Sequence, residues 1–325
     1  MDEMDLRAYR AAREGSAFYI PPGSGVLELT GEDRRAFLQR QTSNDIALLL
    51  PERALLTVLT SPTARILDVF YLLEEPQGIA ILPMPGRSEW TMQYLRSRIF
   101  FMDKVSLTDR SPDWLQLDLL GSRASDTLIR FGVPAIPATD QLIQLELGSN
   151  RLKIWALQPI YGAGFRILLP SAAAGELVES LVASGADQIS EREFQVLRVE
   201  AGYPGPGSEL SEEYTPYEAG LSGAVSGGKG CYTGQEILAR QATYDKVTQS
   251  LRGVRLGGPA GSGPRLWTAD ERPAGVLTSY AMSPAFGPIG LAVIRRPHDR
   301  EGTVLQVGEK PASGVNGEVA RLPFT

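Results

Sequence analysis

Short apolar runs separated by Gly, Pro, Ser and Asn set the rhythm of this chain. The first 22 residues are mixed and end in Pro21-Pro22. Residues 26–29, Val-Leu-Glu-Leu, then alternate as a short strand does. Thr30 and Asp33 have the spacing of a helix cap, which predicts a helix with Ala36, Phe37 and Leu38 on its apolar side. Ser43-Asn44-Asp45 reads as a turn. Apolar runs over 55–59 and 66–73, joined by Ser61-Pro62-Thr63, predict a hairpin. Residues 79–82 form another strand closed by Pro83, and 88–99 a helix with Ser88 as its cap. Strands follow near 115–120, 142–147, 152–157 and 165–169, then an Ala- and Leu-rich helix over 172–184. Ser190 and Glu193 form a capping-box pair for a helix through Val199, stopped by Gly202. Past residue 247 the helical signals vanish. Segments such as 276–280 and 289–294, set apart by Gly and Pro, read as a small β-barrel. Alternating strands and helices with several hairpins predict layered α+β structure and not a purely parallel sheet.

Composition narrows the function classes. With 325 residues, 43% hydrophobic and 22% charged, the chain is ordinary globular protein, long enough for two or three domains. A net charge of −6 argues against a nucleic-acid protein, which usually carries a basic face. The single cysteine excludes an intramolecular disulfide and fits a reducing compartment. No apolar run reaches the roughly 18–20 residues that span a bilayer. Met1-Asp2-Glu3-Met4-Asp5 lacks the basic-then-apolar order of a signal peptide. The expectation is a cytoplasmic protein with neither membrane nor nucleic acid among its partners. One Cys and one His cannot build a zinc site of several such ligands, and no metal is expected. His298, in the turn Arg295-Arg296-Pro297-His298-Asp299, reads as a solvated loop residue. Chemistry must come from carboxylates, the thiol, backbone groups or a bound cofactor.

Three positions stand out. Ser226-Gly227-Gly228-Lys229-Gly230-Cys231 has three glycines in six residues, and Thr233 with Glu236 has cap spacing for a helix from Gly234. Cys231 would then lie just before a helix N-terminus. The dipole and the Lys229 ammonium would favour its thiolate; a small buried residue in a tight turn is the other reading. Asp68 interrupts an apolar strand, where a carboxylate needs a partner. That partner is either a backbone N–H or an arginine such as Arg65, or else a cationic or amine-bearing ligand. Glu200 ends a helix, where the dipole disfavours negative charge. It either pairs with Arg198 or accepts two parallel N–H bonds from an aminopyrimidine edge.

Together these segments resemble the YgfZ-type folate-binding proteins, relatives of the glycine-cleavage T-protein, an aminomethyltransferase. Lys229-Gly230-Cys231-Tyr232-Thr233-Gly234-Gln235-Glu236 is similar to the branch motif K-G-C-[FY]-x-G-Q-E at every fixed position. Phe37-Leu38-Gln39 with Thr42-Ser43-Asn44-Asp45 resembles the early "fLq…TnD" segment. Ala64-Arg65-Ile66-Leu67-Asp68 resembles "G-G-I-x-D", and residues 197–202 resemble "L-R-x-E-A-G". Residues 215–221 resemble "T-P-x-E-A-G-L", and 275–279 resemble "G-x-v-T-S". The resemblance implies a three-domain T-protein-like ring of antiparallel and mixed sheets with helices and a C-terminal β-barrel. Its domains would be 1–47 with 148–247, then 48–147, then 248–325. It also implies that tetrahydrofolate or a one-carbon derivative is bound, with Glu200 on the pterin, Asp68 by the reactive nitrogens, and Tyr217 and Glu218 also in the site. Cys231, Lys229 and Asp68 are the candidate catalytic residues. Three departures from the T-protein weigh against aminomethyl transfer: Asp68 is followed by Val69 where a second aspartate is usual, Ala64-Arg65 replaces the paired glycines, and residues 229–236 stand where the T-protein has "K-x-x-F-I-G-K-E". The implied role is folate-dependent support of iron–sulfur cluster assembly or repair, with client enzymes or assembly proteins as partners. The alternative is a tetrahydrofolate-dependent one-carbon transferase; whether there is turnover stays open.

Overall fold

The computed structural model describes residues 4–260, 265–311 and 314–324, so Met1-Asp2-Glu3 of the acidic start lies outside the described residues. Two compact units result. The first is Met1–Pro62, Leu67–Glu193 and Gly223–Gln235; the second is Thr63–Ile66, Phe194–Ser222 and Glu236–Thr325.

The first unit opens with α1 (Leu6–Glu14), whose N-cap Asp5 accepts from the N–H groups of Arg7 and Ala8. The sequence pattern predicts no helix here, where Asp5 is one of several acids at the start of the chain. Then come β1 (Ala17–Tyr19), β2 (Leu27–Thr30), α2 (Arg34–Gln41), β3 (Ala54–Thr60), β4 (Ile66–Glu75), β5 (Gly78–Leu82), α3 (Ser88–Arg96), β6 (Ser106–Asp109), β7 (Trp114–Gly121), α4 (Ala124–Arg130), β8 (Leu142–Leu147), β9 (Asn150–Ala156), β10 (Ala163–Pro170), α5 (Ala174–Ala183) and β11 (Asp187–Gln188). They build a six-stranded sheet, β11-β1-β7-β10-β9-β8, and a five-stranded sheet, β3-β4-β5-β2-β6. The first mixes one parallel pair, β1 with β11, into antiparallel neighbours such as β7 with β10. β3 and β4 are the expected hairpin.

The central strands are apolar on both faces because both faces are covered, whereas the edge strands β6 and β8 have exposed positions. On β5, Ile79 and Ile81 join one core and Ala80 and Leu82 another. On β10, Phe165, Ile167 and Leu169 face one core and Leu168 the other. The shared core, with Leu73, Trp155 and Leu168, lies between the two sheets. The outer faces pack on helices: Leu128, Leu177 and Leu181 of α4 and α5 on one sheet, Phe37, Leu38 and Leu95 of α2 and α3 on the other. Period two thus sorts each strand's side chains between a sheet–sheet layer and a sheet–helix layer.

Two caps differ from expectation. Gly31, at φ +108°, turns the chain where a Cβ would meet the Lys104 backbone, so Thr30 ends β2 and the helix starts only at Arg34. Asp33 precedes that helix without a side-chain cap bond and accepts from the Lys104 N–H at 2.9 Å. Ser88 is itself helical, after Arg87. The capping box before α6 (Glu191–Ala201) is as read: the Ser190 N–H donates to Glu193 Oε2 at 3.0 Å and the Arg192 N–H to Ser190 Oγ at 3.2 Å. Strand pairing runs across residues 47 and 147 of the expected domain division, since β2 pairs with β5 and β6, and β8 with β9.

After α7 (Gln235–Thr243) come β12 (Gln249–Leu256), β13 (Arg265–Trp267), β14 (Pro273–Ser283), β15 (Gly287–Arg295), β16 (Val304–Val307) and β17 (Val315–Ala320). They close as the expected barrel, β12-β15-β14-β13-β16-β17, with β17 pairing back on β12. Within the second unit a buried ionic network ties α6 to this barrel. Arg198 donates to Glu209 Oε2 at 3.3 Å and to Ser279 Oγ at 2.9 Å, while Ser279 donates to Glu209 Oε1 at 2.7 Å. The Gly205 N–H also donates to Glu209, at 2.7 Å, and Thr278 contacts the same carboxylate. Thr278 sits where the β14–β15 register shifts, and that bulge lets adjacent residues reach one carboxylate.

Glu209 is fully buried, so removing it strands the Arg198 charge. We expect Glu209→Ala to cost about 3–5 kcal/mol in urea unfolding, and Ser190→Ala about 1 kcal/mol. Equal losses for the two would contradict this ranking.

Candidate functional site

Residues 223–235 are an excursion that belongs to the first unit while the chain on either side belongs to the second. The excursion is fastened along its length. The Ser226 N–H donates to the Ser43 carbonyl at 3.0 Å, and Ser43 Oγ to the Ala224 carbonyl at 2.7 Å. Asn44 Nδ2 reaches the Gly223 carbonyl at 3.4 Å, and Thr60 Oγ1 the Thr233 carbonyl at 2.6 Å. Lys229 is 7% exposed and sends its Nζ to the carbonyls of Thr42, at 2.6 Å, and Asn44, at 2.7 Å. It also lies 4.9 Å from the Tyr232 ring centroid. Burial lowers the Lys229 pKa to about 8, against the pull of Asp45. The expected turn Ser43-Asn44-Asp45, with Thr42 before it, is therefore the seat of the thiol loop. Lys229 has a fastening task that the sequence reading did not contain.

Cys231 is exposed, so it is not a core packing residue. Gly234 takes φ +83°, and α7 starts one residue later. The Thr233 carbonyl accepts from Thr60, and Glu236 pairs with Arg240 one turn on, at 2.7 Å.

Asp68 shares the face of Phe70 and Leu72 on β4, toward α3, and is fully buried. Its Oδ1 accepts from the N–H groups of Val69 at 2.8 Å and Met84 at 3.2 Å, and Thr91 of α3 donates to Oδ2. Backbone N–H partners are what the structural reading of Asp68 asked for. Arg65, the arginine named with it, donates to the Glu213 carbonyl at 2.8 Å and to Glu218 at 3.3 Å. Burial raises the Asp68 pKa to about 6, opposed by Thr91, the two N–H groups and the Arg87 charge.

In the second unit Glu200 is fully buried near the end of α6, and Ser283 donates to its carboxylate. Ser283 Oγ accepts from the N–H groups of Ala285 at 3.0 Å and Phe286 at 2.9 Å, which ties Glu200 to the β14–β15 turn. Tyr217 is half-buried, and burial raises its pKa. Glu218 accepts from the Thr215 N–H at 2.8 Å, and its own N–H reaches Thr215 Oγ1 at 3.4 Å. This reciprocal pair has the form of a capping box and braces the turn that carries Tyr217. Thr91 and Ser283 were not singled out in the sequence; nothing local marks a hydroxyl that will meet a distant carboxylate. Among the described residues no group of three or more His, Cys, Asp or Glu is placed to hold a metal ion, and no helix is long and apolar enough to cross a membrane.

Residues 7–229 match the GCVT N-terminal domain family. The chain is 29% identical over 309 residues to the Arabidopsis thaliana protein named "Putative transferase, chloroplastic", covering 92% of this chain and 69% of that one. It is 28% identical over 329 residues to an aminomethyltransferase of Listeria welshimeri, covering 97% and 88%. The solved structure of the glycine cleavage system aminomethyltransferase T from Bartonella henselae matches with a TM-score of 0.82 at 21% identity, covering 98% of this chain and 89% of that one. That match shows a T-protein-like fold.

The Asp68 pKa makes stability depend on pH in a definite sense. The folded value, about 6, lies above the unfolded 3.8, so the folded state binds more protons between them. The group weakens the fold as pH rises through that window, by up to about 3 kcal/mol near neutrality. The stability difference, wild type minus Asp68→Asn, should therefore fall between pH 4 and pH 7. A flat difference in thermal unfolding across that range would refute the buried, raised carboxyl.

Proposed function

The chain belongs to the GCVT N-terminal domain family, and from that premise we propose that it is a tetrahydrofolate-binding factor that supports iron–sulfur cluster assembly or repair in client enzymes. The observation that carries this reading is the Lys229-to-Glu236 run, fastened through Lys229 and Thr233 with Cys231 left exposed between them. The run also resembles the YgfZ branch motif at every fixed position. A cluster needs about four protein ligands, so one thiol can take part only in an exchange shared with a partner. Exposure on a fixed seat suits that task.

The folate fits the groups available in the second unit. Glu200 offers a buried carboxylate, the acceptor that a pterin's N–H edge requires. Tyr217 would add a half-buried ring to the binding set, with Glu218 bracing the turn that carries it. Asp68, in the first unit, could take part in one-carbon chemistry only if Thr91 turned aside from its carboxylate. Bound tetrahydrofolate would supply a carrier for one-carbon units.

A second reading, tetrahydrofolate-dependent aminomethyl or other one-carbon transfer, is favoured by the names of relatives similar along nearly the whole chain. Asp68 would then orient the one-carbon unit. Turnover of a one-carbon adduct by the purified protein, abolished in Asp68→Asn, would establish it.

Two variants separate the parts of the leading reading. In a binding titration with tetrahydrofolate, Glu200→Gln should weaken affinity about tenfold or more, because a charge-assisted bond is lost; unchanged affinity removes Glu200 as the pterin anchor. Cys231→Ala should bind tetrahydrofolate as wild type does, yet fail to restore client-enzyme activity in a deletion strain. Full rescue by Cys231→Ala would sink the thiol's role.

A further inference from the structure

We propose that the turn of residues 100–103 is a tip that seats reversibly on the headgroup region of an anionic lipid bilayer. This inference is independent of the folate reading and uses none of its site residues.

Phe100, Phe101 and Met102 are 66%, 97% and 72% exposed, and Phe101 is the most exposed large apolar side chain among the described residues. Scattered single apolar residues on a surface need no explanation, but three in succession do. The turn is not loose. The Asp103 N–H donates to the Phe100 carbonyl at 2.9 Å, and the Phe100 N–H to the Asp103 carboxylate at 3.0 Å. Arg40 of α2 holds that carboxylate through both oxygens, at 2.8 and 2.9 Å.

The support behind the tip is equally built. Along α3, the Arg87 guanidinium lies 3.9 Å from the Trp90 ring centroid, and Trp90 stacks on Tyr94 at 5.2 Å. Arg98 lies 4.9 Å from the Tyr94 ring. This ladder leads from the Arg87 bond to the Leu67 carbonyl, beside Asp68, down to the base of the turn. The side chains of the tip are thus held out by a fixed base.

Charge selects the occupant. At the shoulders of the turn, Arg40 holds Asp103 and Lys104 pairs with Glu32 at 2.8 Å, while Arg96 and Arg98 are in no ion pair that offsets their charge among the described residues. The whole chain carries −6. An anionic bilayer would attract the tip and repel the rest of the molecule, which orients the protein tip first. Apolar side chains at the apex with cations at the shoulders match the depth profile of a bilayer interface, where rings enter the acyl boundary and long basic side chains stay with the phosphates. A turn with this degree of exposure inserts into a planar, deformable surface without needing a preformed pocket. A single small tip gives weak, reversible binding and not anchorage.

The test is co-sedimentation of the full chain with phosphatidylcholine vesicles, alone or with about one third phosphatidylserine. Wild type should partition to the anionic vesicles at least about tenfold better than to neutral ones, and lose that preference at high salt. Phe101→Ser should lower anionic partitioning about tenfold or more with a melting curve like wild type, and the double change Arg96→Gln with Arg98→Gln should lower it by a similar factor. Absence of anionic binding, or binding indifferent to Phe101, overturns the proposal. A concentration-dependent mass increase without lipid that Phe101→Ser abolishes also overturns it, in favour of a second copy of this chain as the occupant.

Discussion

One ammonium group, on Lys229, holds the exposed thiol loop in place. The glycines around it supply no steric hold: a Cβ built at Gly227, Gly228 or Gly230 would meet nothing within 4 Å. Backbone this free would sample many conformations, so an anchor is needed. Lys229 gives it by carrying a charge inward to two carbonyls on a segment 187 and 185 residues away in sequence. The charge is not comfortable there. Its folded pKa, about 8, lies below the ordinary 10.5, so the cost to the fold is present below about pH 8 and is relieved as pH rises above it. The anchor is kept because its loss would also leave the Thr42 and Asn44 carbonyls to find other partners. Cys231 inherits its position from this arrangement.

The strand that carries Asp68 is constrained by the layers on both of its faces. β4 is apolar because one side meets the second sheet and the other meets α2 and α3. A carboxylate on the helical side must be satisfied locally, and Thr91 stands opposite on α3 to do so. The turn before this strand explains one departure from the T-protein pattern. Ala64 is fully buried and takes φ +60°, a conformation that glycine enters freely and alanine does not. The glycine of the "G-G-I-x-D" pattern thus answers a backbone requirement that this chain meets with some strain.

What could be read in advance follows from the range of each signal. The β3–β4 hairpin, the Ser190–Glu193 cap and the barrel were legible because apolar runs, cap spacing and Gly–Pro punctuation are local. Local reasoning failed where a distant group intervened. Thr30 has good cap spacing, but the close approach of Gly31 to Lys104 moves the helix start. α1 has little local signature, because its cap, Asp5, is one more acid in a charged start. At the site the alphabet of residues was readable and the wiring was not. Lys229 stood out as a charge beside a thiol; its bonds to Thr42 and Asn44 belong to tertiary structure alone. For Glu200 the local alternatives were a pair with Arg198 or an aminopyrimidine edge; the Ser283 hydroxyl of β14, which donates to it, comes from 83 residues away and left no local trace.

These contacts bear unequally on the two functional readings. Transfer of a one-carbon unit asks for a carboxylate that reaches the folate's reactive nitrogens. The Asp68 carboxylate already holds three donors in a sealed layer, and exposing it would leave Thr91 and two backbone N–H groups to be satisfied elsewhere. Val69, where a second aspartate is usual, brings no acid to take over that task. The Cys231 loop has the opposite economy of contacts: its fastening is complete without the thiol, so the sulfur can engage a partner while the seat stays intact. A scaffold shared with aminomethyltransferases is compatible with either chemistry, since function resides in the site and not in the fold. The distribution of already committed and uncommitted groups is what favours the thiol loop as the reacting element.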